Sequence, residues 1–252
     1  MRLAGRHAIV TGAGTGIGAA IARALAAEGA KLTLVGRRRE PLELVAADIG
    51  GLVAPADVTS REQVERCFAL AHDAHGPISI LVNNAGGADS APFAKVTEEV
   101  WRQTMAVNLD SLLHCCQAAL PDLIAGDASR IVTIASTAGL KGYAYSAPYT
   151  AAKHGAVGFT KALALELAAT AVTVNAVCPG FTDTEMVGEA IDRIVRKTGR
   201  SEAQARDELA KFNPQGRMVA PDEVAAAVVW LCLPESGSIT GQSIAVAGGE
   251  VM

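Results

Sequence analysis

Short β-branched runs separated by longer Ala/Leu-rich segments constrain this chain more than any other feature. His7 to Thr11, Lys31 to Val35, Leu52 to Ala56, Ile78 to Val82, Arg130 to Ala135, Val172 to Val177 and Gln242 to Val246 read as strands. Several are apolar at consecutive positions, which suits strands covered on both faces, as in parallel sheets. Gly18 to Glu28, Ser60 to His75, Trp101 to Ala125, Ala151 to Ala169 and Pro221 to Leu233 carry helical period and composition. Strict alternation with right-handed crossovers predicts an α/β, doubly wound parallel sheet of about seven strands, with helices on both faces.

No repeat, low-complexity tract or Pro/Ser-rich linker divides the 252 residues, so one domain is expected over 1–252. The irregular stretch is Pro179 to Met218, where a Pro-Gly break precedes one polar helix-like segment, Glu189 to Lys211. Residues 181–217 are therefore expected to form a substrate-binding loop or lid over the site. A formal net charge of -4, with no basic run longer than Arg37-Arg38-Arg39, argues against nucleic acid or an anionic membrane as partner. The amino-terminal residues have no apolar core of the kind a signal peptide needs, and no apolar run reaches transmembrane length, so a cytoplasmic protein is expected. The five cysteines have no CxxC or metal-ligand spacing and sit in apolar segments; they read as reduced and buried. The five histidines show no ligand spacing either, and no metal is expected.

The first predicted strand runs into Thr11-Gly12-Ala13-Gly14-Thr15-Gly16-Ile17-Gly18, with a helix at once after it. Glycines there allow a tight turn and close approach of a pyrophosphate, held by the amides and dipole of the helix N-terminus. The spacing is TGxxxGxG rather than GxGxxG, since Ile stands at 17. In this context the fold is read as Rossmann-type, with Gly12, Thr15, Gly16, Ile17 and Gly18 as cofactor-binding residues. An NAD-dependent protein places a carboxylate at the end of the second strand. Here Gly36 is followed by Arg37, Arg38 and Arg39, which suits a 2′-phosphate, so NADP(H) is favoured and NAD(H) remains possible. A solvated helix start is the alternative reading of the arginines. Asp57-Val58 closes the third strand, where Asp57 either accepts from an adenine amino group or caps the helix that follows.

Tyr149 and Lys153 lie four apart at the start of a predicted helix, hence on one face. A neighbouring ammonium stabilises a phenolate and makes tyrosine a usable general acid/base. Ser136 stands at the carboxyl end of the fifth strand, the edge where doubly wound sheets bind ligands. Asn108 is a polar residue in an apolar helical stretch, either functional or satisfying local backbone groups.

Together TGxxxGIG at 11–18, Asn83-Asn84-Ala85-Gly86, Asn108, Ser136, Tyr149-x-x-x-Lys153, Pro179-Gly180, Ile239-Thr240-Gly241-Gln242 and Gly248-Gly249 resemble the short-chain dehydrogenase/reductases over essentially the whole chain. That resemblance implies an NAD(P)-dependent oxidoreductase acting on a carbonyl or secondary alcohol. It implies that Tyr149 exchanges a proton with the substrate oxygen and Ser136 orients that oxygen. Lys153 would hold the nicotinamide ribose and lower the Tyr149 pKa, while Asn108 would anchor a water in a proton relay. Gly12, Gly16 and Gly18 would take the pyrophosphate, Asp57, Val58, Asn84, Ala85 and Gly86 the adenosine side and its surroundings, and Pro179, Gly180, Thr182 and Thr184 the nicotinamide side. Arg37, with Arg38 beside it, would meet a 2′-phosphate. A homotetramer is implied, built on the Trp101 to Ala125 and Ala151 to Ala169 segments and the last strand.

Within that family the chain resembles 3-oxoacyl reductases, aromatic-polyketide ketoreductases and 3-hydroxybutyrate dehydrogenases. Ala88 and Ala138 stand where the hydroxybutyrate enzymes hold carboxylate-binding side chains, which disfavours a short free 3-hydroxy acid. Asp127 and Thr170 stand where carrier-protein reductases place docking arginines, which disfavours an acidic carrier. A 3-oxoacyl or 3-hydroxyacyl thioester such as a CoA ester is the expected substrate. The alternatives are NAD-dependent oxidation of a hydrophobic or cyclic secondary alcohol and a non-catalytic nucleotide-sensing role. Tyr143 and Tyr145 precede the catalytic helix and either rim the pocket or pack the loop, and Trp101 and Trp230 read as packing residues.

Overall fold

The computed structural model describes residues 1–252. Seven strands form one parallel sheet: β1 (His7–Thr11), β2 (Lys31–Gly36), β3 (Leu52–Pro55), β4 (Ile80–Asn83), β5 (Ser129–Ile134), β6 (Val172–Pro179) and β7 (Ser243–Val246), in the order β3-β2-β1-β4-β5-β6-β7. Each expected strand is present to within two residues at either end. Alternate side chains sort to opposite faces. Ala8, Val10, Leu34, Val82 and Val132 join one core cluster, and Ile9, Val35, Leu81, Ile131 and Val174 the other. Burial on both faces is why the runs are continuously apolar rather than alternating.

The first face is covered by α1 (Gly16–Ala27), α2 (Arg39–Ile49) and α9 (Pro221–Cys232), the second by α3 (Arg61–His75), α5 (Ser111–Ala125) and α6 (Ala147–Glu166). The order reverses between β1 and β4, so a crevice opens at the carboxyl ends of those two strands. No helix is long and apolar enough to cross a membrane.

Three helical expectations are corrected. The helix α2 carries no periodic signal and is expected only as the alternative helix start at the arginines: it buries only Leu42 and Val45 and opens Arg39-Glu40-Pro41, so its apolar stripe is too narrow to register, and left-handed Gly50 ends it. Trp101 to Ala125 is two helices. Thr97 caps α4 (Glu98–Met105) by accepting from the Val100 amide at 3.2 Å, and a π turn over Ala106–Asp110 separates it from α5. Glu189 to Lys211 likewise divides into α7 (Glu185–Thr198) and α8 (Glu202–Ala210), because Gly199 takes a φ of 70° and Ser201 with Gln204 builds a capping box.

Candidate active site

The cofactor end is built from β1, β4 and α1. Thr15 is the N-cap of α1, yet its hydroxyl caps nothing and no acidic residue occupies the first turn, so the helix presents free amides and its positive end. The glycines clear the approach. A Cβ at Gly18 would collide with the Gly12 carbonyl and with Asn84 Nδ2, and one at Gly16, where φ is 51°, would stand 3.1 Å from Thr184 Cγ2. Ile17 packs down against the core, anchoring the turn from below.

Thr11 is the residue that sequence reasoning passed over. Its buried hydroxyl accepts from the amides of Asn84 and Ala85 at 2.9 and 3.0 Å, and Asn84 Nδ2 returns bonds to the carbonyls of Thr11 and Gly12 at 2.9 and 3.2 Å. These bonds lock the end of β4 to the glycine turn. The signal was a hydroxyl directly after the apolar run Ala8 to Val10, at the last position of the strand. Asn84 thus acts through its Nδ2 as a clamp between the two loops.

Gly36 ends β2 beside Pro55 of β3, which brings the arginines near Asp57 and Val58. Arg37 is exposed and makes no ion pair, whereas Arg38 Nη2 lies 4.0 Å from Glu185 at the start of α7 and Arg39 bridges to Glu43 within α2 at 3.4 Å. Of the three, Arg37 is the free cation. Asp57 Oδ1 accepts from the amide and hydroxyl of Thr59 at 2.9 and 2.8 Å, while Ser60 caps α3. Asp57 therefore shapes the turn without capping the helix. Buried Val58 accepts through its carbonyl from His114 at 3.1 Å.

The chemical end lies across the switch point. Ser136 follows β5, and its hydroxyl accepts from the Ala138 amide at 3.0 Å in a 3₁₀ turn over Thr137–Gly139. Tyr149 and Lys153 share one face of α6, with Lys153 Nζ 5.6 Å from the phenol ring centroid and donating to the Ile134 carbonyl at 2.9 Å. Burial lowers Lys153 to about 8, with the Cys178 thiol acting against the shift. Burial also raises the Tyr149 phenol above its ordinary value, opposed by the Ser136 hydroxyl. In the free chain loss of hydration outweighs the neighbouring groups. Tyr149 stays protonated at neutral pH and stands ready as an acid.

Asn108 sits in the π turn. Its Nδ2 donates to the carbonyls of Gly87 and Thr104 at 2.9 and 3.0 Å, and its Oδ1 accepts from the Gly87 amide at 3.3 Å. The side chain thus ties the loop after β4 to its own helical turn. That loop passes close to the lysine: a Cβ at Gly86 would lie 2.8 Å from Asn108 Oδ1 and 3.6 Å from Lys153 Nζ. Tyr145 adopts a φ of 65°, rare for a side-chain-bearing residue, and its carbonyl accepts from the Ala91 amide at 2.9 Å. This ties the segment before α6 to the same loop.

Pro179 closes β6, and Gly180 N donates to Val246 O at 3.1 Å. Thr182 is buried and donates to the Gly180 carbonyl at 3.0 Å, and Thr184, the N-cap of α7, donates to the Thr182 carbonyl at 3.3 Å. Hence Thr184, an N-cap whose hydroxyl caps nothing, lies beside Gly16 in the first turn of α1, whose own N-cap Thr15 is likewise uncapped. The five cysteines are unpaired and buried. The cleared glycine cradle and the open helix end fit the phosphates of a nicotinamide dinucleotide.

Comparison with known proteins agrees with this geometry. A family profile described as short chain dehydrogenase matches residues 6–194. A D-beta-hydroxybutyrate dehydrogenase of Cupriavidus necator is 38% identical over 255 residues, covering 99% of each chain. An acetoacetyl-CoA reductase of Shinella zoogloeoides is 38% identical over 246 residues, covering 97% of this chain and 98% of the relative. Among solved structures, a variant of actinorhodin polyketide ketoreductase crystallised with NADPH superposes with a TM-score of 0.94 at 37% identity, covering 97% of both chains. The chain belongs to the short chain dehydrogenase family and is an oxidoreductase acting on CH–OH groups.

Proposed function

We propose that the chain interconverts a ketone and a secondary alcohol with NADP(H) in preference to NAD(H), on a 3-oxoacyl or 3-hydroxyacyl thioester such as a CoA ester. The observation that carries the reading is the meeting of Ser136, Tyr149 and Lys153 at the carboxyl edge of the sheet that also carries the open glycine turn. The nicotinamide, when bound, supplies or accepts the hydride. The chain's own residues orient and protonate. The Ser136 hydroxyl, already fixed by the Ala138 amide, directs a carbonyl oxygen toward the Tyr149 phenol. Tyr149, kept neutral by burial, gives its proton to that oxygen as charge develops there. Lys153, a cation below about pH 8, stabilises the resulting phenolate and holds the cofactor ribose. Asn108 keeps the loop at Gly86 and Gly87 in place beside Lys153. Arg37 pairs with the 2′-phosphate, and residues 181–217, with α7 and α8, close over the substrate.

A bulky cyclic ketone is the second reading. Tyr143, Phe181 and Phe212 form an aromatic cluster with ring centroids 5.2 to 6.1 Å apart on the substrate side, a surface suited to a ring. Reduction of acetoacetyl-CoA and of 1-decalone, each with NADPH and NADH, tests both readings. A rate with NADPH well above that with NADH on the thioester is the expected result; activity with NADH alone overturns the Arg37 assignment.

We also propose one domain over 1–252 that works in the cytoplasm as a homotetramer. The unpaired cysteines fit a reducing compartment. Leu113, Ile124 and Leu165 are exposed on α5 and α6, which suits a symmetric helix-face contact.

A further inference from the structure

The carboxyl-terminal segment brings a carboxylate into the interior beside the catalytic turn. After β7 the chain turns through Gly248 and Gly249, at φ of 59° and 94°, and the Glu250 side chain is only 1% exposed. It accepts through Oε1 from the Tyr143 hydroxyl and from Lys141 Nζ, the latter at 3.1 Å, while Oε2 is buried without a partner. Gly180 makes room for it, since a Cβ there would stand 2.9 Å from Oε2. Lys141 also lies over the rings of Tyr143 and Phe212, 5.1 and 5.9 Å from their centroids.

Proton positions along this chain of groups are fixed by chemistry. Burial and the bond to Glu250 push the Tyr143 phenol well above its ordinary value, so it remains a donor. Tyr143 spends its proton on the carboxylate, so in its 2.6 Å contact with Thr137 Oγ1 it is the threonine that donates. Thr137 is buried and immediately follows Ser136, and it opens the turn whose Ala138 amide holds the Ser136 hydroxyl.

We propose that Glu250 is a positioning residue for carbonyl reduction, acting through Tyr143 and Thr137 to fix the turn that aims Ser136 at the substrate oxygen. The inference rests on the function proposed above and deepens it. The carboxylate works through Tyr143 and Thr137 rather than on the reacting atoms. Its work is to give the Ser136 turn one hydrogen-bonding arrangement, so its loss disturbs the reacting oxygen and leaves the glycine turn and Arg37, which it does not contact, in place.

The test uses the full chain with Glu250→Ala, Glu250→Gln and Tyr143→Phe, following kcat and KM on acetoacetyl-CoA and 1-decalone, the Kd for NADPH, thermal midpoint, and amide exchange in the peptide spanning residues 136–142. Glu250→Ala and Tyr143→Phe should lower kcat at least tenfold, leave the NADPH Kd within twofold and speed exchange in that peptide. Glu250→Gln, whose amide oxygen still accepts from Tyr143, should recover most of the lost rate; a purely structural role would not produce that recovery with NADPH binding unchanged. Two folded variants, Glu250→Ala and Tyr143→Phe, that both keep kcat within twofold overturn the proposal, as does unchanged exchange at 136–142. If the wild type reduces neither ketone, the functional reading fails instead, and the exchange measurement still decides whether Glu250 controls the turn.

Discussion

Replacing Lys153 by methionine should make the cofactor-free protein more stable while abolishing its activity. The Lys153 side chain is 5% exposed at residue level, and burial brings its pKa from 10.5 down to about 8. At about 1.4 kcal/mol per decade of proton affinity, keeping that ammonium charged at neutral pH costs the folded chain roughly 3 kcal/mol. Methionine fills similar space without a charge, but it gives up the bond to the Ile134 carbonyl, which takes back roughly 1 kcal/mol. The net expectation is a gain of about 2 kcal/mol, read as a shift in the urea midpoint at pH 7. The sign can be checked by raising the pH. Folded Lys153 releases its proton near 8 and the unfolded chain keeps it to 10.5, so wild-type stability from this group rises across that window. By pH 9.5 the wild type should have recovered roughly 2 kcal/mol and the gap between the two proteins should have closed. A Lys153→Met protein less stable than wild type at pH 7, or a gap that ignores pH, refutes the reasoning.

Four further outcomes are expected. Tyr149→Phe should lower kcat by at least about 100-fold while NADPH still binds, since only the proton donor is removed; fluorescence titration beside initial rates checks it. Gly18→Ala should abolish NADPH binding and cost about 2 kcal/mol or more of stability, because its methyl meets the Gly12 carbonyl; calorimetry reads both effects. Arg37→Ala should raise the KM for NADPH about tenfold or more and leave that for NADH unchanged, which steady-state kinetics with both cofactors decides. Burial lowers His7 from 6.5, so the folded chain holds it neutral while the unfolded chain takes up a proton; stability should fall as pH drops through about 6.5, and the loss should shrink in His7→Asn by urea midpoints at pH 7 and 5.

Strands and the glycine turn were legible because their signals are local: a strand buried on both faces must be apolar throughout, and a turn that admits phosphate must lack Cβ atoms. Ser136, Tyr149 and Lys153 were legible from spacing and family resemblance. What escaped was set by tertiary contact. The helix α2 escaped because two buried residues, Leu42 and Val45, suffice to seat it. The π turn at Asn108 escaped because its amide serves Gly87 of another loop, a partner that no periodicity reveals. The direction of the Tyr149 shift escaped because burial, which outweighs its neighbours, is not written in the five residues from Tyr149 to Lys153. Glu250 and Tyr143, 107 positions apart, meet only once the last strand is paired.

The contact of Thr184 with Gly16 has a consequence for the sequence of events in turnover. Two uncapped helix N-termini, from α1 and α7, come close together there, each carrying partial positive charge. A pyrophosphate between them would act as their common counter-ion and draw α7 inward, narrowing the doorway by which a substrate enters. Cofactor should therefore arrive first and leave last, a compulsory order that appears in product inhibition as competition between the oxidised and reduced cofactors alone.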